Sequence, residues 1–339
     1  MKLIITCFNL CMITLFAVLP VCAQEDSTEV EDYSMFADAT EVKRYTTQKV
    51  LNLSAAKLLS AGLEWNSNSG LPVTNQSTNE ARNYNIKPLL MPRILVNFPV
   101  VSNDKLIVNL GGQYWGSPYN ITGALQSPVN TLDANMMHSL GVAASIFKPL
   151  NEKRFLILVA GADLNTSFPS GQSLQGKAIT ISASAIYGWK TSERNMWGIG
   201  ASRTYRLGRV IHVPVLLWNK TFNDKWGVEM VLPAKGFVRR NFSSQSLLLA
   251  GFELEGNQYL IPNGFNNGDL FLQRGEIKPR LQWERQLKNF IWLSTQVGAR
   301  INGRFNFTDQ YNGKDADDLF RTSLKTALFF NISLNLVSP

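Results

Sequence analysis

Charged and apolar side chains alternate in the stretch EIKPRLQWERQLKNFIWLSTQVGARI, residues 276–301. A β-strand sends successive side chains to opposite faces, so this spacing places the charges on one face and the bulky apolar residues on the other. The segment before it adds charges that would lie on the same face. The charged face predicted in this way consists of Glu253, Glu255, Glu276, Lys278, Arg280, Glu284, Arg300 and Arg304.

Two roles fit such a face. Opposite charges that lie across neighbouring strands pair and help to fix the register, so the face would be a ladder of salt bridges that fills or stiffens an interior. Alternatively, its basic members would form a ridge that guides anions through a pore. Because charges of opposite sign alternate and neutralise each other locally, the sequence favours the ladder.

Few residues in the sequence could carry out enzymatic chemistry. Beyond residue 23 the chain has two histidines, His138 and His212, and each shares its parity with apolar residues. We interpret both as interfacial side chains, with a lipid hydrolase as a minor alternative. The sequence has no phosphate-binding glycine loop, paired-histidine metal motif or calcium loop, so we expect no enzymatic activity, no cofactor and no metal.

The start of the chain has the pattern of a secretory signal peptide. Lys2 precedes an unbroken apolar run, and a cleavage site is expected after Ala23. All three cysteines lie in this segment, which excludes a disulfide framework from the mature chain. Cys22 leaves acylation as a lipoprotein open. The predicted organisation is a signal peptide over 1–23, an acidic flexible periplasmic lead-in over 24–48 and a barrel over 49–339.

The charge is distributed unevenly around a formal net value of +8. Residues 25–41 hold seven acids and no Lys or Arg, so the rest of the mature chain carries +14 once Lys2 is set aside. Like charges with few apolar residues resist packing, which predicts the flexible lead-in. In an exported chain, the basic remainder predicts contact with outer-membrane lipid, lipopolysaccharide phosphates and small anionic solutes, and not with nucleic acid.

Apolar and polar residues alternate along most of the chain after residue 50, and no later segment has eighteen consecutive apolar residues. The alternating segments are longer than typical strands of globular proteins, which favours an all-β transmembrane antiparallel barrel over a soluble sandwich. Short polar turns, assigned to the periplasmic side, alternate with long extracellular loops when the chain reverses at PAKG. We predict fourteen strands, with twelve as the alternative, at residues 51–66, 84–98, 105–115, 135–147, 155–165, 177–190, 196–207, 210–221, 226–233, 236–242, 246–255, 270–285, 290–304 and 321–336.

Tryptophans flank three of the short turns, and indole rings favour the headgroup level of a membrane. Arg203 interrupts the apolar face of its strand near a predicted extracellular turn, so it is expected to meet a lipopolysaccharide phosphate or to extend to the interface. The predicted aromatic girdle consists of Trp189, Trp197, Trp218, Trp226, Trp283 and Trp292.

One stretch of the sequence carries a family resemblance. Residues 197–259 contain a strand that ends in a tight G-x turn, the pattern P-x-L-x-x-N from Pro214, the motif FNDKW, an LP pair and G-x-x-Y from Gly256. This stretch resembles a family of outer-membrane β-barrel proteins of unknown function, domain of unknown function 6268. The resemblance implies the barrel fold and an outer-membrane location, and it implies no activity and no catalytic residue.

These patterns together predict a passive channel, or porin, for small solutes with a net basic lumen. The alternative is a non-conducting barrel that supports the outer membrane or binds a partner through its loops. Fourteen strands lie between the eight-stranded barrels that side chains fill and the open porins of sixteen to eighteen strands. The strand number alone therefore leaves both functions open.

Overall fold

The computed structural model describes residues 45–338, apart from 124, 125, 127, 168–175 and 267. The predicted signal peptide and most of the predicted lead-in lie outside these residues. The strands are β1 (Lys57–Asn66), β2 (Ser69–Asn75), β3 (Ala81–Ile86), β4 (Leu89–Asn103), β5 (Leu106–Ser117), β6 (Ile121–Thr122), β7 (Met137–Pro149), β8 (Arg154–Ser167), β9 (Ile179–Ser192), β10 (Asn195–Thr204), β11 (Ile211–Thr221), β12 (Trp226–Leu232), β13 (Lys235–Ser243), β14 (Ser246–Phe265), β15 (Gly268–Lys288), β16 (Ile291–Thr308), β17 (Asp318–Thr322) and β18 (Ala327–Val337).

Fourteen of these strands form a closed antiparallel ring, which confirms the predicted fold and strand number. The ring closes where β18 pairs with β1, with Ala61 opposite Leu334 at the middle of the seam. The alternative of twelve strands is wrong, because β12 and β13 are separate strands joined by a two-residue turn. The order around the ring is β1, β4, β5, β7, β8, β9, β10, β11, β12, β13, β14, β15, β16 and β18.

The outer face of the ring is apolar. In β18, every second residue from Leu328 to Leu336 is 41–64% exposed, whereas the residues between them are at most 8% exposed. An apolar belt of this kind is the signature of a barrel surrounded by lipid, since a soluble protein would cover it. Among the described residues, no helix is long and apolar enough to cross a membrane.

Several predicted loops contain regular structure. The segments 256–269 and 305–320 were expected to be loops, but β14, β15 and β16 continue into them. The outer end of β16 pairs with the small strand β17. From β17 the pairing continues through β2, β3 and β6, and these four small strands lie outside the ring. The segment 66–82, also expected to be a loop, contains β2, and the predicted strand 84–98 is divided between β3 and β4.

An apolar cluster explains why these outer segments fold. Helix α1 (Val129–Ala134) contributes two side chains three residues apart, Val129 and Leu132, which share one face of the helix and are both buried. They pack beside Leu272 of β15 and Phe307 of β16, which are fully buried. Burial of large side chains contributes about 1.5–3 kcal/mol each, so the cluster stabilises a cap at the extracellular end.

The lipid-facing assignment of β18 predicts a cost that depends on depth. Replacing Ile332 by Lys at the middle of the strand should destabilise the barrel by about 2–4 kcal/mol, because a cation at the bilayer midplane loses its hydration. Replacing Leu336 by Lys, near the periplasmic rim, should cost about 0–1 kcal/mol. Urea unfolding of the two variants from lipid bilayers measures the difference, and equal costs would contradict the assignment.

Candidate functional site in the barrel lumen

Seven charged side chains meet inside the ring and form what we call the central ladder: Glu64, Arg93, Glu255, Arg274, Glu276, Lys278 and Arg300. At its centre, Lys278 Nζ lies 2.7 Å from Glu64 Oε2 and 3.2 Å from Glu255 Oε2. All three residues are at most 3% exposed. Such buried charges persist only where partners compensate their lost hydration.

Two arginines bind carboxylates of the central ladder in bidentate geometry. Arg93 places Nη1 and Nη2 each 2.8 Å from one oxygen of Glu255. Arg300 donates from Nε and Nη2 to the two oxygens of Glu276 at 2.9 and 2.6 Å. Paired, parallel hydrogen bonds to a carboxylate fix geometry as well as charge, so the ladder is rigid.

The central ladder spans one side of the lumen. Arg93 belongs to β4 and Glu255 to β14, and four strands of the ring, namely β15, β16, β18 and β1, lie between them. The 2.8 Å contacts between the side chains of Arg93 and Glu255 therefore cross the interior of the barrel. Long charged side chains fill the arc of the barrel from β14 to β4.

The remaining members of the predicted charged face are also paired. Arg280 lies 2.8 Å from Glu253, and Glu284 lies 2.7 Å from Lys57. Arg304 is the member that lies apart from the ladder. It binds Asp318 at 2.8 Å and contacts Asp315 near the extracellular cap.

Sequence reasoning missed four cations or acids of this network: Lys57, Glu64, Arg93 and Arg274. Glu64 carries a usable signal, because it lies on the polar face of an alternating strand. Arg93 interrupts an otherwise apolar run, and its partner is far away around the ring. Strand register predicts only neighbours, so a contact across the lumen is not readable from spacing.

The opposite arc of the ring has small side chains on its inner face. We call it the small-residue sector, and two rows of cross-strand neighbours define it. The first row is Asn109, Ser145, Val159, Ser184, Ser202 and Val213, and the second is Asn97, Gly111, Ala143, Gly161 and Ser182. Hydrogen bonds between Ser184 and Ser202 (2.7 Å) and from Asn109 to Ser145 (3.4 Å) link members of the first row.

The small-residue sector is accessible from within the barrel. Val159 is 36% exposed although it faces the lumen, and Leu95 on the inner face of β4 is 40% exposed. Ala143 is also exposed. By contrast, the ladder side is closed to solvent, so the free space of the lumen is displaced towards β5–β10.

The extracellular end of the lumen is covered by the long hairpin of β14 and β15. Asn257 donates to Ser139 of β7 at 3.2 Å, and Arg274 donates to Ser117 of β5 at 3.2 Å. Leu260 of β14 accepts a hydrogen bond from Thr166 of β8 at 3.0 Å. The hairpin thus leans from one wall to the other above the small-residue sector.

The periplasmic end is crossed by the chain segment before β1, residues 45–56, which we call the N-terminal segment. Thr46 donates from its backbone to Asn151 in the turn after β7, and Leu51 donates to Glu193 in the turn after β9. Val50 is 4% exposed within an inward cluster that includes Phe147 and Met196. The last residues of the predicted flexible lead-in are therefore held against the barrel.

The ion pair of Glu229 and Arg239 also anchors the N-terminal segment. The hydroxyl and the backbone N–H of Ser54 both donate to the carboxylate of Glu229, the latter at 3.0 Å. Glu229 also binds Arg239 at 2.7 Å, and Arg239 is fully buried. This group fixes the segment to β12 and β13, on the side of the ring opposite β4 and β5.

The predicted girdle tryptophans separate into two groups. Trp189, Trp197 and Trp218 are cross-strand neighbours on the outer face, and the first two stack with ring centroids 4.5 Å apart. Trp226, also outward, lies under Arg240 at 5.2 Å. Trp283 is partly buried and donates to Ser246 at 3.1 Å.

Trp292 differs from the prediction. It is 7% exposed and packs inside the barrel with Leu247, Leu249 and Val337. Its parity is that of Ser294, which faces the lumen, so the alternation of β16 places it inward. The prediction followed its position beside a turn and overlooked its parity.

Arg203 and the two histidines lie on the outer face. The guanidinium of Arg203 contacts the carbonyl of Ile181 and donates to the Tyr205 hydroxyl at 3.2 Å. His138 Nδ1 lies 2.9 Å from the Tyr114 hydroxyl, while His212 is exposed and paired in register with Arg203.

Comparison with family models places most of the chain in one family. The model described as Domain of unknown function (DUF6268) matches residues 88–337, which include every strand of the ring except β1. Comparison with curated proteins found no match.

Solved structures show a general likeness in fold. An outer membrane channel from Pseudomonas putida F1 has a TM-score of 0.41 at 10% identity, covering 89% of this chain and 100% of that chain. A Pseudomonas aeruginosa FadL homologue scores 0.36 at 10% identity, covering 83% and 90%. The P. putida toluene transporter TodX scores 0.36 at 9% identity, covering 85% and 92%.

The central ladder predicts a large effect of removing its central cation. Lys278→Met should destabilise the barrel by about 3–5 kcal/mol, because Glu64 and Glu255 lose a partner in a buried setting. Lys177→Met, which breaks an exposed pair with Asp269, should cost less than about 1 kcal/mol. Urea unfolding of both variants measures the difference in the free energy of unfolding. An unchanged free energy of unfolding in Lys278→Met would show that the ladder is dispensable for stability.

Proposed function

The chain belongs to the DUF6268 family, and on this premise we propose that it is a passive outer-membrane channel for small solutes. The observation that carries the proposal is the accessible inner face of the small-residue sector. Side chains of Ser, Ala and Gly leave space along the wall, and Val159 within that wall is 36% exposed. A barrel that served only as a rigid scaffold would have no need of this unfilled arc.

The chemistry of the sector indicates which solutes it would pass. Both rows consist of uncharged residues, including Ser145, Ser184 and Ser202. The charged residues on the other side are paired, and the central ladder holds one cation more than it holds carboxylates. The net basic lumen expected from the sequence is therefore largely neutralised locally, and we propose weak charge selectivity with small uncharged solutes as the main substrates.

The N-terminal segment would restrict passage at the periplasmic mouth. It runs from the turn after β7 to β1 and is held by the Ser54–Glu229 hydrogen bonds. A solute that moves along the small-residue sector would meet this segment beside Val50. We therefore propose that release of the segment raises the flux.

Location and surroundings follow from the apolar belt and the predicted signal peptide. We propose that the protein lies in the outer membrane after export, with lipid around the belt and lipopolysaccharide at its extracellular rim. Contact between Arg203 and a lipopolysaccharide phosphate stays a prediction. The intramolecular acceptors of its guanidinium, Ile181 O and the Tyr205 hydroxyl, compete with such a contact.

A non-conducting barrel is the second candidate, and closure of both ends favours it. The β14–β15 hairpin covers the extracellular end and the N-terminal segment crosses the periplasmic end. In that case the central ladder would serve only to stiffen the wall. A lipid hydrolase has weaker support, since the hydrogen bond described for His138 joins it to the Tyr114 hydroxyl.

The channel proposal predicts that narrowing the sector slows permeation. Ala143→Trp places an indole among Gly111 and Gly161 and should reduce the swelling rate of proteoliposomes in arabinose about tenfold, an increase of ~1.4 kcal/mol in the barrier. Ala185→Trp, on the lipid face of β9, is the matched control and should swell at the wild-type rate. If proteoliposomes with the folded wild-type barrel do not swell, the channel proposal is wrong and the non-conducting barrel becomes the preferred function.

Release of the N-terminal segment should have the opposite effect. Val50→Asp introduces a carboxylate into an apolar cluster, so the segment should detach and swelling should accelerate roughly threefold. Leu51→Asp is the control, because Leu51 is 50% exposed and tolerates a charge. Limited proteolysis near residue 50 should increase in the Val50 variant alone. Detachment without faster swelling would show that the segment does not limit passage.

A further inference from the structure

The wall of the ring is incomplete between β11 and β14. β12 pairs with β11 only from Leu216 towards the periplasm, and β13 pairs with β14 only from Glu253 in the same direction. The turn that joins β12 and β13, at Leu232 to Lys235, therefore lies well below the extracellular ends of the neighbouring strands. Among the described residues, 211–215 of β11 have no paired strand on that side.

The gap lies at membrane height. Its level is that of Ser202, the partner of Val213, five residues beyond Trp197 along β10. At about 3.3 Å per residue along a strand tilted by about 40°, the gap opens roughly 10–15 Å above the tryptophan level, inside an apolar band about 25 Å tall. It therefore lies around the middle of the band and extends from there into the outer leaflet.

A depression of about 850 Å³ marks this gap on the surface. Ile199 and Leu216 lie on its lipid side, and both are exposed. Gly200 and Val213, which have the parity of the lumen face, line it as well. The depression thus reaches from the lipid face into the thickness of the wall.

The small-residue sector leads directly to this place. Its first row ends at Val213, and the row below it ends at Val215, opposite Gly200. Beyond both residues the wall has no further strand at that height. A solute that moves along the sector away from β5 therefore arrives at the gap.

The connection between β10 and β11 closes the gap on its upper edge, through its backbone and through the side chain of Arg206. Arg206, in the connection between β10 and β11, donates from Nη1 to the carbonyl of Leu254 at 2.6 Å and lies 3.8 Å from Glu253. The same connection contacts the outer hairpin, where Leu207 forms a bridge with Gly275. Arg206 is partly exposed, so it spans the opening without being packed in a core.

We propose that this gap is a lateral window through which small apolar solutes pass between the lumen and the outer leaflet, with Arg206 as its latch. The inference rests on the proposed channel function and names a second class of substrate for it. Both axial ends are covered by protein, whereas the window is bordered by Val, Leu, Ile and Pro side chains. A polar solute would have to give up its hydrogen bonds to water at such an apolar border, which is unfavourable. An apolar solute makes no such hydrogen bonds, so the border does not hinder its exit.

The test compares two variants in intact Gram-negative cells that express the full chain. The probe is N-phenyl-1-naphthylamine, an apolar dye that fluoresces in lipid, added outside. Leu232→Trp fills the depression from the lipid side and should slow probe uptake about tenfold, whereas Arg206→Ala removes the latch and should accelerate it roughly threefold. Leu140→Trp, a lipid-facing change on β7, is the matched control and should leave uptake unchanged.

Arabinose swelling of proteoliposomes separates the two proposals. Swelling at the wild-type rate in Leu232→Trp, combined with slow probe uptake, supports a window distinct from the polar route. If probe uptake is unchanged in both window variants while arabinose swelling is retained, the window proposal is wrong and the channel proposal stands. Probe uptake by the wild type no faster than in cells without the protein also overturns the window. Absence of swelling, with probe uptake that still responds to both variants, overturns the polar channel alone.

Discussion

Backbone groups that face lipid must find partners within the protein, and this constraint shapes the barrel. Ring closure through β18 and β1 removes the two free strand edges that an open sheet would leave. An interruption in the described part of the wall lies above the β12–β13 turn. There Arg206 supplies a donor to the Leu254 carbonyl, and Leu254 donates to the carbonyl of Ala234. At Leu254, a side chain and a turn thus replace the strand partner that the break removes from β14.

Inside the ring, charge and size divide the lumen into two unequal parts. The central ladder fills the arc from β14 to β4 with long side chains whose charges cancel apart from one excess cation. Apolar packing of equal volume would often be as stable as such buried pairs, so their benefit is a defined geometry. Bidentate contacts of Arg93 and Arg300 hold that side rigid. The free space is consequently confined to the wall with Ser, Ala and Gly.

The sequence predicted the fold well because lipid imposes strict alternation. Leu328 to Leu336 showed the outer face, and the reversal at PAKG showed that β12 and β13 are separate. Alternation also placed Glu276 and Lys278 inside, although Arg304 turned out to bind acids near the extracellular cap. Contacts across the lumen, such as Arg93 with Glu255, depend on ring closure and leave no local signal. The folded outer segments were missed because tertiary packing against Leu272 and Phe307 decides their structure.

The seam between β1 and β18 also has a kinetic meaning. Its partners, such as Leu63 and Ile332, are separated by nearly the whole ring, so this pairing has the largest loop to close and must come late in assembly. The N-terminal segment is continuous with β1 and binds turns on the far side of the mouth. The N-terminal segment can bind these turns only after ring closure has brought them opposite the seam. The nascent barrel therefore passes through a stage in which its periplasmic mouth is uncovered, and the N-terminal segment is the last of the described residues to settle.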